Sequence, residues 1–259
     1  MIDFLALERE LSKCLPQYEF YGLDTVDSTS SHLKRIAKES LRPSICICHN
    51  QTSGYGQRSR QWLSNTDSLT FSLMTKLKVP IHQIDGFSQS VGVRLVQTLN
   101  SSIGEDFKLK WPNDIHSQRG KVAGLLIESV KYDESSCWLI VGFGINFSEI
   151  LLTDQQLGNQ ADYLSSNDTG FALQSNIFKR LVYELDNLFS MYHFGYFSRL
   201  VNEYKKYDYF DFDQELIVYH TGHTSKGLYK GLTQFGELLF EIDGKVKTYR
   251  SGDVSIRPV

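Results

Sequence analysis

FKLKWPNDIHSQRGKVAGLLIESVKYDESSCWLIVGFGIN, residues 107–146, holds three β-rich segments, from Phe107 to Trp111, Lys121 to Lys131 and Cys137 to Asn146. Gln118-Arg119-Gly120 turns the chain back as a hairpin would, so the centre of the chain reads as an antiparallel or mixed sheet. Outward toward the amino terminus, alternation predicts strands at Tyr18 to Leu23, Ile45 to His49 and Leu69 to Leu77. Between them lie a helix starting at Thr29 or Ser30 and running through Leu33, Ile36 and Ala37, and a helix at Gln83 to Leu99 follows. Residues 52–61 are polar and carry Gly54 and Gly56, which predicts a mobile loop. Outward toward the carboxyl terminus, helical spacing returns at Phe171 to Tyr192 and Tyr196 to Tyr207, closing a large domain near Asp211. From Phe212 on, short alternating runs at Glu215 to Tyr219, Lys226 to Leu232, Leu238 to Ile242 and Val246 to Tyr249 are joined by glycine turns, the pattern of a small β-barrel. The expectation is an α+β chain of two domains, 1–211 and 212–259.

Composition narrows the function. A hydrophobic share of 41% with 22% charged residues fits an ordinary globular protein, and a formal net charge of −3 gives no general attraction to nucleic-acid phosphates. The longest apolar stretch, Cys137 to Ile145, is far shorter than the ~20 residues of a membrane-spanning helix. Asp3, Glu8, Arg9 and Glu10 interrupt what a signal peptide would keep apolar; Ile2, Leu5, Leu7 and Leu11 read instead as one side of an amphipathic helix. Cys14, Cys46, Cys48 and Cys137 lack zinc-site spacing, and Cys46 and Cys48 read as small buried hydrophobes on one strand face. These features point to the cytoplasm and to no membrane.

Several short stretches carry candidate chemistry. GYGQRSRQW, Gly54 to Trp62, combines two glycines with Arg58, Arg60 and an indole. Glycine lets backbone N–H groups approach an anion, arginine offers a planar fork of donors, and tryptophan a face for a base; a solvated surface loop is the alternative. In Lys110-Trp111-Pro112-Asn113-Asp114 the proline ends a strand and presents Asn113 and Asp114, either as a magnesium and ribose site or as an Asx turn. Lys121 opens an apolar strand with Ala123 and Gly124 beside it, and either points into a cleft to stabilise developing negative charge or is simply exposed. In Gly142-Phe143-Gly144-Ile145-Asn146 the glycines either admit a ligand or bend the strand. His220 and His223 read as a barrel turn, and the aromatics from Tyr192 to Tyr209 as packing.

With Val26-Asp27-Ser28-Thr29-Ser30, these stretches resemble biotin protein ligases in order and spacing, over residues 20–259. Gly236-Glu237-Leu238-Leu239 and Gly252-Asp253-Val254-Ser255-Ile256-Arg257 are similar to that family's closing strands. The resemblance implies a mixed-sheet ligase domain like the class II aminoacyl-tRNA synthetase fold, followed by an SH3-like barrel. It implies an ATP-dependent enzyme that makes biotinyl-5'-AMP with magnesium and transfers biotin to a lysine of a biotin carboxyl carrier protein. By the same resemblance Ser28, Thr29, Ser30, Gln51, Gly54, Tyr55, Gly56, Lys121 and Gly124 bind biotin, with Ser28, Thr29 and Gln51 on its ureido ring. Gln57, Arg58, Arg60, Trp62, Lys110, Asn113 and Asn146 bind nucleotide, Asp114 holds the metal, and Lys121, Arg58 and Arg60 are catalytic. The family's loop commonly has arginine where this chain has Tyr55 and Gln57; glutamine at the second place removes a charge near the adenylate. Only 27 residues precede Ser28, too few for the DNA-binding domain of some relatives, so no operator binding is expected; a homodimer is left open. A lipoate-type ligase or acyltransferase shares the broad fold, but the biotin-type loop and terminal barrel argue against it. Lys121, Asp114 and Arg58 argue against a non-catalytic biotin-binding regulator.

Overall fold

The structure is a computed structural model that describes residues 1–65, 67–149, 161–164, 170–220 and 222–259. Its frame is a seven-stranded mixed sheet in the order β1-β2-β3-β7-β6-β5-β4. The strands are β1 (Glu19–Val26), β2 (Ser44–Gln51), β3 (Leu69–Leu77), β4 (Lys108–Lys110), β5 (Asp114–His116), β6 (Lys121–Tyr132) and β7 (Cys137–Ile145). β1 and β2 run parallel. A parallel pair needs a crossover, and α2 (Thr29–Glu39) supplies it. The apolar runs of β2, β3 and β7 reflect burial on both faces. Leu33 of α2 meets Cys46, Met74 and Ile140 on one face, while Phe71 stacks on Phe143 and meets Phe178 edge-on on the other. That second face is covered by α3 (Phe87–Ile103) and α4 (Phe171–Met191).

The departures from expectation have local causes. β5 spans three residues, too few for alternation to register, and the Gln118–Gly120 turn joins it, rather than β4, to β6. α3 starts four residues later than its apolar spacing predicts, because Ile81–Gln83 forms a separate 3-10 turn and Gly86, at φ 78°, resets the chain. Tyr196 to Tyr207 splits into a 3-10 turn, Tyr196–Arg199, and α5 (Val201–Tyr207). In α1 (Phe4–Cys14), capped by Asp3, Leu7 and Leu11 are buried but Leu5 is 66% exposed. Two residues before Leu7, Leu5 points to the far side of a 3.6-residue turn; Phe4, three before it, packs inward and stacks on His49.

β8 (Glu215–Tyr219), β9 (Thr224–Leu232), β10 (Leu238–Ile242), β11 (Lys245–Tyr249) and β12 (Ser255–Pro258) form a second sheet where the small barrel was expected. It is five-stranded and antiparallel, in the order β11-β10-β9-β8-β12. Leu216, Val218, Tyr229, Leu238 and Phe240 continue the main hydrophobic core, and the buried Trp111 indole donates to Gly236 O at 3.0 Å. Tyr229 donates to Asp208 Oδ2 at 2.5 Å; burial pushes the Asp208 carboxyl up to about 6. The second sheet is therefore fixed against the turn that leads into Asp114.

Candidate functional site

The site occupies the sheet face that α2 covers only in part. At its first end Ser28, in extended conformation, caps α2, and its hydroxyl accepts from Ser31 N at 3.4 Å. Asp27 braces this cap, accepting from Ser28 N at 2.8 Å and from both terminal nitrogens of Arg35 at 2.7 and 2.8 Å. The Arg35 hydrogen bonds hold its carboxyl down to about 2. Gln51 Oε1 accepts from Thr29 N at 2.8 Å, and the Ser72 hydroxyl lies 2.7 Å from that of Thr29 and 2.9 Å from that of Ser30. Ser28, Thr29, Ser30 and Ser72 are all buried. A buried hydroxyl cluster with its partners in place suits a neutral polar ligand group, since burying such a group without hydrogen bonds is costly. Sequence reading passed over Ser72; the available signal was a serine between Phe71 and Leu73 in an otherwise apolar strand.

At the second end Lys121 Nζ lies 2.6 Å from Asp114 Oδ1 and 5.2 Å from the Trp62 ring. The two glycines beneath leave room for this approach, Gly144 most of all. A Cβ on Gly124 would meet Lys121 Nζ at 3.0 Å, and one on Gly144 would overlap the Trp62 indole at 2.2 Å. Gly124 and Gly144 are cross-strand partners, and Gly142, two residues along the same face, lies under the Ser30 and Ser72 hydroxyls. The hydroxyl cluster and the lysine are thus neighbours on one face. Lys110 lies over the Tyr209 ring at 5.3 Å, and burial lowers its pKa with nearby Arg257 and Lys121 adding repulsion. Arg257, from β12, therefore brings the second sheet's charge toward this end, a contribution the sequence reading did not assign.

Residues 161–164 close this end. Asp162 N donates to Lys121 O at 2.8 Å, Leu164 N to Asn146 O at 2.9 Å, and Asn146 Nδ2 to Asp162 O at 3.1 Å. The Asp162 carboxylate accepts from Arg119 Nε at 3.1 Å and from the Ser117 hydroxyl, so it braces the turn that delivers Lys121. Nothing in the sequence flagged Asp162, which is 45 residues from its partner Ser117. Two buried polar atoms here lack a partner among the described residues: Trp62 Nε1, a donor, and Asn146 Oδ1, an acceptor. Such atoms are costly to bury, and a ligand offering one acceptor and one donor would satisfy both.

The glycine loop lies over this face. Gly56 N donates to Arg60 O at 2.8 Å and Trp62 N to Gly54 O at 2.9 Å, so the loop is a closed hairpin-like turn, with Arg58 and Ser59 both at φ 57°. The expected anion contacts of its arginines are not assembled. Arg58 Nη2 donates instead to Gly252 O at 2.6 Å, on the turn before β12, and Arg60 is exposed. Tyr55, Gly56, Gln57, Arg58 and Ser59 border a cleft of about 460 Å3 whose other walls are Leu126 to Glu128 and Ser251-Gly252. Asn113, expected at the nucleotide, donates to Leu125 O at 2.6 Å and so ties β6 to the turn after Pro112. Asp114 stands as the first residue of β5. Among the described residues no group of three His, Cys, Asp or Glu is placed to cage a metal. A single carboxylate still fits magnesium, which is commonly held by one or two carboxylates and substrate phosphates.

A profile of the Biotin/lipoate A/B protein ligase family matches residues 22–146, which span every element of this face from β1 to Asn146. Residues 22–146 are thus similar to a biotin/lipoate A/B protein ligase domain. The family match ends before the second sheet, but similarity to individual relatives covers more of the chain. The chain is 26% identical over 237 residues to the bifunctional ligase/repressor BirA of Salmonella typhimurium, covering 91% of this chain and 73% of that protein. It is 23% identical over 217 residues to the biotin--[acetyl-CoA-carboxylase] ligase of Mycobacterium tuberculosis, covering 81% and 77%. The fold is that of the biotin protein ligase from Aquifex aeolicus solved in complex with biotin and ATP, at TM-score 0.75 and 24% identity, covering 93% of this chain and 99% of that one.

Proposed function

We propose that the protein is a biotin protein ligase that activates biotin with ATP and transfers it to a lysine of a biotin carboxyl carrier protein. The observation that carries this reading is the adjacency on one sheet face of the buried Thr29–Ser30–Ser72 hydroxyl cluster, above Gly142, and Lys121, above Gly124. Biotin has a neutral ureido head and a carboxylate joined by an apolar chain, and those two ends match the cluster and the ammonium.

The Lys121–Asp114 pair is the resting state of the anion end. Both side chains are about 30% exposed, and such a pair stabilises by only about 0–1 kcal/mol, so an incoming carboxylate and phosphate displace Asp114 cheaply. The biotin carboxylate then attacks the α-phosphorus of ATP, the bond to pyrophosphate breaks, and Lys121 offsets the charge that grows between carboxylate and phosphate. Asp114, once released, is the residue that would hold magnesium borne by the nucleotide phosphates. When bound, that ion neutralises phosphate charge and orients the leaving pyrophosphate. Trp62 Nε1 and Asn146 Oδ1 offer the donor and acceptor for the nucleotide, and Lys110 with Arg257 adds positive charge. In the second step the neutral carrier-lysine amine attacks the acyl carbon, the acyl–phosphate bond breaks, and AMP leaves. Activation is required because a free carboxylate is a poor acyl donor.

The test is exchange of labelled pyrophosphate into ATP, dependent on biotin, with lipoate in place of biotin as control. Exchange with biotin and none with lipoate is expected. Exchange with lipoate alone would overturn the reading.

A further inference from the structure

Resting on the biotin-ligase reading, we infer that Glu128 is a positioning residue that holds the glycine loop over the ligand face by binding Tyr55 and Lys34 together. Glu128 uses both carboxylate oxygens: Oε1 lies 2.7 Å from Lys34 Nζ, and Oε2 accepts from the Tyr55 hydroxyl at 2.9 Å. Lys34 Nζ also lies 5.3 Å from the Tyr55 ring centroid, so the three side chains close on one another. Burial works against the Lys34 ammonium, but its hydrogen bonds to Glu128 and Tyr55 outweigh that and raise its pKa.

The placement excludes a catalytic role. Glu128 is seven residues, roughly 20 Å, along β6 from Lys121, so it cannot reach the phosphate-carboxylate contact. It projects from the face that also bears Gly124 and Leu126, and Lys34 comes from α2 above it. Tyr55 sits one residue after Gly54, at the start of the loop, and tyrosine orders with only two side-chain torsions. The triad therefore ties a polar loop to a strand and a helix that are rigid for other reasons. A charge-assisted hydrogen bond is about twice as strong as a neutral one, so the carboxylate is the component that sets how firmly the loop is held. The loop's other end has a separate tie, Arg58 to Gly252 O. That contact uses a side chain with an expected role at the anion, so it is released when ligand enters, whereas Tyr55–Glu128 persists. Tyr55–Glu128 is then the fixed hinge point and Arg58 the free end.

The experiment compares Glu128→Gln, Tyr55→Phe, their double variant and Lys34→Met with wild type. Hydrogen exchange of residues 52–61 in ligand-free protein is expected to quicken about fivefold in Glu128→Gln and in Tyr55→Phe, with the core strands unchanged. The double variant should add little to either single change, because both break one contact. With biotin and ATP, Glu128→Gln should raise the biotin KM and shorten the lifetime of bound adenylate about fivefold, with kcat for pyrophosphate exchange within twofold. Lys34→Met separates loop positioning from anchoring of α2: it should quicken exchange in 29–39 more than in 52–61. Additive effects in the double variant, or unchanged loop exchange in folded Glu128→Gln, would overturn the inference. Because loop exchange is read without ligand, a wild type that fails to exchange pyrophosphate removes the biotin-ligase reading alone.

Discussion

The two ends of the ligand face are built in opposite ways. At the Ser28–Ser30 end the four hydroxyls of Ser28, Thr29, Ser30 and Ser72 are buried and each has a partner, with Gln51 closing a cluster that needs no ligand to exist. At the Lys121 end the polar groups are provisionally employed: Lys121 holds Asp114, and Trp62 Nε1 and Asn146 Oδ1 hold nothing among the described residues. The difference follows from what each end must recognise. A neutral head group is bound by a preformed site because little reorganisation is then lost on binding. A highly charged phosphate contact is present only during turnover, and an uncompensated cluster of cations would destabilise the protein between turnovers.

The contrast can be broken by changing either end. The largest effect is expected from Lys121→Ala, which should slow adenylate formation by on the order of 10²–10³ while biotin affinity stays close to wild type. Single-turnover adenylation beside calorimetric biotin binding measures both; lost affinity with retained turnover would reverse the assignment of the ends. Next, Thr29→Val keeps the shape, the Thr29 N–Gln51 bond and the Ser30–Ser72 contact, but removes from a buried site the hydroxyl that Ser72 and the polar head of biotin would share. That costs about 1–3 kcal/mol, so biotin should bind roughly 5- to 100-fold more weakly with little change in adenylation at saturating biotin. An equal loss in both would mean that the first end also serves the chemistry.

Smaller again is Gln57→Arg. Arginine would exchange a neutral contact for a charge-assisted one near the anion, slowing release of preloaded biotinyl-adenylate about tenfold in the absence of acceptor. Release as fast as wild type would place Gln57 outside the reach of the intermediate. The smallest expected change is in the loop itself: residues 52–61 should be cleaved more slowly by protease when biotin and ATP are both bound, as Arg58 exchanges Gly252 for the ligand. Equal cleavage with and without both ligands would show that this loop does not close on them.

Much of this organisation was legible in residue order. Leu69–Leu77, Glu215–Tyr219 and Leu238–Ile242 fall where alternation put them, because strands bounded by turn residues carry their own signal. The motifs also brought Ser28 to Ser30, the glycine loop, Lys121 and Gly144 to notice, because glycine beside a cation or hydroxyl is a local pattern. What escaped was whatever depends on contacts between distant segments. Ser72, Asp162 and Glu128 are ordinary residues in sequence, and each acquires a role only from a partner 42, 45 or 73 positions away.

The sequence by itself determined the alternation that builds both sheets, the cap that starts α2, and the glycines that let side chains lie flat on β6 and β7. These rest on backbone geometry and short-range spacing, which act over a few residues. Only the tertiary structure decided that Lys121 rests on Asp114, that Arg58 reaches the second sheet, and that Tyr55 hangs from Glu128. Charged and hydroxyl side chains near a surface have several partners in reach at similar energy, and which one is taken depends on how the packed core brings the strands, helices and loops together.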